Sequence, residues 1–163
     1  MQSNTYLKYA KIKGEATASG FKDMITLLSV DWSVGREITA FTGTQQDREA
    51  SSARLYDMTI TKLQDKASTL LFREATIGKG ETAEFYVTKQ GGGQVEEIMK
   101  IELTNAMISN YSVSIQDDRP IETITISYTE MEMTVHPTND ENMLQPKLVY
   151  KYSGVYGHST NQE

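Results

Sequence analysis

The chain has 163 residues, 38% of them hydrophobic and 23% charged, with a net charge of −6 and no cysteine. That length suits one domain with its own core, and the missing cysteine excludes a disulfide framework, a thiolate metal site and a thiol nucleophile. The acidic balance argues against a nucleic-acid partner. No run of about 18 apolar residues offers a membrane span, and Met1 to Lys13 lacks the apolar segment of a Sec-type signal peptide.

Thr5 to Ile12 intersperses aromatic and aliphatic residues with polar ones and predicts a first strand, followed by turn residues at Gly14, Ser19 and Gly20. Ile25 to Trp32 is almost continuously apolar, which predicts a second strand covered on both faces. From Gly35 to Ala53 the alternation fails, and a long extended loop is expected, of the kind that carries function or mobility. Arg54 to Lys62 alternates again, with Met58 and Ile60 on one face and Asp57, Thr59 and Thr61 on the other.

One short helix is predicted over about Ser68 to Ile77, with Ser68 as N-cap, Leu71 and Ala75 sharing a face beside Leu70, and Gly78 and Gly80 as the stop. Strands resume with Ala83, Phe85 and Val87 on one face, and Gly91, Gly92 and Gly93 predict a hairpin turn. Met99 to Leu103 and Met107 to Gln116 read as two further strands, the second with Val113 and Ile115 on one face. Ile124, Ile126 and Tyr128 alternate in even phase, then Met131, Met133 and Val135 in odd phase. A β-bulge is the simplest cause of that change, and a strand passing from the core into a subunit interface is another. His136 and Pro137 end the strand, and Lys147 to Tyr156 suggests a last one.

Candidate chemistry is sparse. His136 and His158 lie 22 residues apart with no metal-ligand spacing, and no nucleophile elbow, zincin or Walker motif occurs. Asp117 and Asp118 beside Arg119 and Pro120 read as turn formers, and Asp140 with Glu141 as a solvated face. Gly91 to Gly93 opens no helix, so the turn reading outweighs an anion cradle, and the sequon at Asn110 falls inside a strand. Asp31, a carboxylate next to Trp32 in an apolar strand, is the most interesting single residue, although an exposed position near a turn explains it. No enzyme, metal or cofactor is expected. Nine tyrosines and eight methionines suit an interface, with core packing as the competing explanation.

The order of local signatures carries more. Tyr6-Leu-Lys8, Ile12-Lys-Gly-Glu15, Phe21-Lys22 leading into Ile25, Asp65-Lys-Ala-Ser68 before the helix, Gly78, and Pro120-Ile-Glu122 opening a strand together resemble the Hcp family, the haemolysin-coregulated proteins of type VI secretion. The resemblance runs from about Thr5 to about Val135. Gly20-Phe21 stands where the family often has Gly-His, and Thr69 where it often has Pro. The resemblance implies a single β-barrel domain over the whole chain, of two antiparallel sheets with one flanking helix. It implies hexameric rings stacked into a tube, bacterial cytoplasm followed by export without a cleaved signal peptide, and partners among sheath, spike and baseplate proteins. It implies small effector proteins in the lumen, with Asp31 facing them. It also makes the long loop an inter-subunit arm, with Phe41, Gln45, Gln46, Asp47 and Arg48 as ring-stacking contacts. Two other readings remain open on the residues: a monomeric β-barrel carrier with a roomy apolar interior, and an effector enzyme on the same fold, for which the chain has no room.

Overall fold

The computed structural model describes residues 3–40, 48–91, 93–116, 118–139, 141 and 143–159. In chain order the elements are β1 (Ser3–Tyr9), β2 (Ile25–Leu27), β3 (Ser29–Asp31), β4 (Val34–Gly35), β5 (Ile38–Ala40), β6 (Arg48–Ala50), β7 (Arg54–Leu55), β8 (Met58–Leu63), α1 (Ser68–Ile77), β9 (Glu81–Gly91), β10 (Gln94–Ser114), β11 (Ile121–Ser127), β12 (Glu130–Val135), β13 (Leu148–Ser153) and β14 (His158–Ser159). A first sheet runs β2-β1-β9-β10-β12-β13-β14 and a second runs β10-β11-β8-β3, all antiparallel. β10 belongs to both sheets, and β2 passes into β3 through Leu28, so the two sheets curl into a barrel joined at two corners.

The corners explain the breaks in periodicity. Where two strands were expected, β10 is one strand of 21 residues. Its pairing with β9 slips between Leu103 and Ala106, around Asn105 at φ +54°. Asn adopts left-handed backbone more readily than most residues, and Gly80 leaves room beside it, since a Cβ there would fall 1.7 Å from Asn105 Oδ1. The extra residue moves the buried positions from Ile101 and Leu103 to Ala106 and Ile108, which keeps the apolar set inward in both sheets.

The expected strand from Ile25 to Trp32 is likewise two strands in two sheets. Ile25 and Leu27 are buried in the first, Leu28 is the exposed corner, and Trp32 lies past the end of β3. Its apolar run reflects the corner rather than cover on both faces. The phase change after Tyr128 has the same origin: β11 pairs with β10 in the second sheet and β12 with β10 in the first, so the chain changes sheet where a bulge was expected.

Within the long extended segment from Gly35 to Ala53, an arm on the barrel, the described residues form short paired strands. β4 pairs with β7 at its base and β5 with β6 farther out. The helix spans the expected residues, but its N-cap is Ala67. The Ser68 hydroxyl accepts instead from the Asp65 backbone N–H at 3.0 Å, and Asp65 Oδ1 accepts from the Ala67 N–H at 2.9 Å. Leu71 is buried under the helix, while Leu70 is exposed. Gly93, at φ +84°, turns β9 into β10.

The barrel interior is filled by Leu7, Tyr9, Met58, Ile60, Phe85 and Leu103 among others. Tyr9 donates to the Ala106 carbonyl at 3.1 Å, and burial, with Glu74 and Glu81 adding, pushes its hydroxyl up to about 12. A smaller cluster of Tyr6, Ala16 and Phe21 packs outside the first sheet, with the Tyr6 and Phe21 rings stacked at 5.1 Å.

Candidate assembly surfaces

The two sheets present different chemistry to solvent. On the second sheet, register aligns Ser112, Thr123, Thr61 and Ser29 in one cross-strand row and Asn110, Thr125, Thr59 and Asp31 in the next. The inward residues between them, Ile60, Ile124 and Ile126, are buried. The Ser29 and Thr61 hydroxyls are 2.6 Å apart, and Ser112 donates to the Thr123 carbonyl at 3.3 Å. Asp31 is exposed and is the one ionisable residue of those eight. β-branched threonines suit a pleated face, and their hydroxyls keep it wet without charge.

The outer face of the first sheet is charged. Register aligns Lys8, Glu84, Glu102, Glu132 and Lys151 across five strands. Facing carboxylates repel, and Lys100 lies between two of them, 3.5 Å from Glu84 and 3.6 Å from Glu102. Burial would lower the Lys100 pKa, but Tyr86, Glu84 and Glu102 outweigh it and raise it.

Of the expected inter-subunit residues, Arg48 opens β6 opposite Ala40. Phe41, Gln45, Gln46 and Asp47 lie outside the described residues. At the arm's base, Trp32, Leu55, Met131, Met133, Tyr150 and Tyr152 line an open groove of about 480 Å³.

One cluster was not anticipated from the sequence. Lys62 and Glu122 are cross-strand partners, 0% and 1% exposed, on the apolar faces of β8 and β11. Lys62 Nζ donates to Glu122 Oε2, to Asp65 Oδ1 at 2.9 Å and to the Leu63 carbonyl at 2.9 Å. Tyr111 donates to the other Glu122 oxygen. Burial alone would raise the Glu122 pKa, but hydrogen bonds from Lys62, Tyr111 and Ser68 hold it below its ordinary 4.5. Burial and the bond to Glu122 push the Tyr111 hydroxyl upward. Since Asp65 also caps the turn into the helix, the cluster ties α1 to the second sheet. The signal that could have revealed it is opposite charge in the apolar phase of two strands, at Met58-x-Ile60-x-Lys62 and Glu122-x-Ile124-x-Ile126.

Among the described residues no cluster of His, Asp and Glu could hold a metal ion, and no helix is long and apolar enough to cross a membrane. The family model for the type VI secretion system effector Hcp matches residues 6–135. The chain belongs to the Hcp family. A solved type six secretion system protein is 27% identical, with a TM-score of 0.89 over 98% of this chain and 100% of that one. Hcp1 from Salmonella typhimurium is 20% identical, with a TM-score of 0.78 over 98% of this chain and 99% of that one. A type VI secretion system effector from Yersinia pestis is 21% identical, with a TM-score of 0.71 over 91% of this chain and 98% of that one. The last two establish likeness of fold. A search of curated proteins finds no match. Family membership accounts for the barrel with one flanking helix, and the family is a structural one rather than a family of enzymes.

The buried pair gives two tests. Lys62→Met strands Glu122 and Asp65 in the interior and is expected to cost about 3 to 5 kcal/mol in denaturant unfolding. The double variant Lys62→Met with Glu122→Leu is expected to recover most of that; no recovery would show that the pair is not the coupled unit. Because the folded Glu122 pKa is depressed, its contribution is present above 4.5 and is lost as pH falls below that value. The stability gap between wild type and Glu122→Gln, measured at pH 7, is therefore expected to narrow on acidification below 4.5.

Proposed function

We propose that the chain is the subunit of the type VI secretion inner tube, six copies closing a ring and rings stacking into the tube. The observation that carries this reading is the division of the barrel surface, in a member of the Hcp family, into a neutral hydroxyl-rich sheet and a charged one. The neutral sheet suits the lumen wall, because threonine and serine hydrate the face without offering cargo a strong ionic grip. The charged sheet suits the outside, towards the sheath. Ring closure gives a small domain a defined size and covers strand edges that would otherwise template aggregation. In this reading the rings leave the bacterial cytoplasm through the machine that they line, in contact with spike and baseplate proteins, and hold small effectors in the lumen. Asp31 then places one carboxylate per subunit on the lumen wall.

A monomeric carrier would need an empty barrel. The interior instead holds packed side chains, and a groove of about 480 Å³ lies at the base of the arm.

Light scattering with negative-stain imaging is expected to give rings of six times the 18.3 kDa chain mass, and stacks at high concentration. A strictly monomeric protein at high concentration would sink the proposal. Deleting residues 43–52 is expected to leave the barrel folded, since none of residues 28–39 and 51–57 is buried, and to impair stacking. Unfolding on that deletion would show instead that the arm belongs to the core. The cysteine-free chain allows a direct test of Asp31. In assembled tubes Asp31→Cys is expected to react with a small maleimide and to resist one carrying a large polymer. Equal reaction with both would place residue 31 on the outer wall.

A further inference from the structure

None of residues 28–39 and 51–57 is fully buried, and although Val30 and Trp32 pack half-buried against the core where the arm begins, burial by itself does not set the direction in which the arm leaves the barrel. Other contacts must set it. The base ladder supplies two residue pairs, Val34 with Leu55 and Gly35 with Arg54, followed by the Tyr56 N–H donating to the Ser33 carbonyl at 3.1 Å. Two tyrosine hydroxyls supply the link to the barrel wall. Tyr128 donates to the Tyr56 carbonyl at 2.7 Å, and Tyr152 donates to the Ala53 carbonyl at 3.5 Å.

Both tyrosines come from rigid ground. Tyr128 packs against the core at the corner where the chain changes sheet, and the next residue, Thr129, donates its N–H to the Thr104 carbonyl at 3.1 Å and accepts from the Gly154 N–H at 2.8 Å. Tyr152 sits on β13 opposite Met131. Burial, with Asp57 adding, pushes the Tyr128 hydroxyl up to about 12, so it stays a donor at any ordinary pH. The groove of about 480 Å³ under the arm leaves space into which an unheld arm could drop.

We infer that Tyr128, assisted by Tyr152, is a positioning residue whose hydroxyl fixes the direction of the arm, and that ring stacking depends on it. This rests on the tube reading only in its second half. The first half concerns the free chain.

The test places spin labels at Ile38→Cys in the arm and Ile77→Cys at the end of the helix, both exposed, and measures the distance distribution between them in the full chain. Tyr128→Phe is expected to broaden the distribution, with a roughly fivefold rise in other arm directions, the equivalent of one hydrogen bond of about 1 kcal/mol. It is also expected to reduce stacks relative to single rings. Tyr9→Phe, which loses a hydroxyl bond inside the core, is the control. It is expected to lower the melting temperature and leave the distribution unchanged. An unchanged distribution in Tyr128→Phe, or equal broadening in Tyr9→Phe, would overturn the assignment. A broadened distribution in a protein that never forms rings would uphold the clamp and defeat the tube reading.

Discussion

β10 runs through both sheets, and the rest of the barrel depends on that single strand keeping its apolar side inward all the way. A strand that turns a corner rotates its faces, so strict alternation along its residues would expose half of the apolar set. A left-handed residue at Asn105 and a second slip, against β11 between Ile108 and Asn110, absorb the mismatch. Everything that pairs with β10 inherits the geometry: β12 on one side of the Asn105 slip, β11 on the other, and β9 across it. The second corner, at Leu28, needs no such device because β2 and β3 are only three residues each and pair with different partners.

This construction separates surface chemistry as well as core. Outward from the first sheet runs a cross-strand row of lysine and glutamate, where such pairs add little stability but much solubility and orientation. The two central rows outward from the second are threonine, serine and asparagine with the single carboxylate of Asp31. A lone barrel has no use for two such different faces, whereas a wall with an inside and an outside does. The arm fits the same logic: residues 34–39 and 51–55 are not buried, so those positions are free of core requirements and open to those of contact between copies.

The elements were legible in proportion to how cleanly one face is buried. β8 and β11 alternate strictly, β9 does so from Ala83 to Tyr86, and the helix carries its own stop at Gly78. What stayed hidden is what depends on long-range pairing. The apolar run from Ile25 to Trp32 looks like a strand covered on both faces, because a corner and a doubly covered strand leave the same pattern. The change of phase between Tyr128 and Met131 looks like a bulge, because a change of sheet also shifts alternation by one residue. The arm reads as irregular because residues 35–39 and 51–53 are not buried, so burial imposes no periodicity on them. Ser68 looked like a cap by position, but its hydroxyl turns back to the Asp65 N–H, and the helix, with Ala67 at its N-cap position, has no side-chain cap. Asp31 could be singled out as a carboxylate in an apolar run; its place among hydroxyls is visible only once β3 is set beside β8.

The buried pair at Lys62 and Glu122 resolves a difficulty that the neutral face creates. Thr59 and Thr61 lie opposite Thr125 and Thr123. Seen from outside, a slip of two residues between β8 and β11 would exchange threonine for threonine and cost almost nothing. Inside, Met58 and Ile60 facing Ile126 and Ile124 would tolerate the same slip nearly as well. Lys62 and Glu122 would not. A slip in either direction sets a buried charge against isoleucine, leaving Lys62 on Ile124 or Glu122 on Ile60, and an uncompensated buried charge costs several kcal/mol. A buried ion pair adds little net stability over an apolar one, but it penalises every register except one. A face kept uniform for the sake of its surface thus requires a non-uniform mark on its other side, and the sequence places that mark where the helix is anchored.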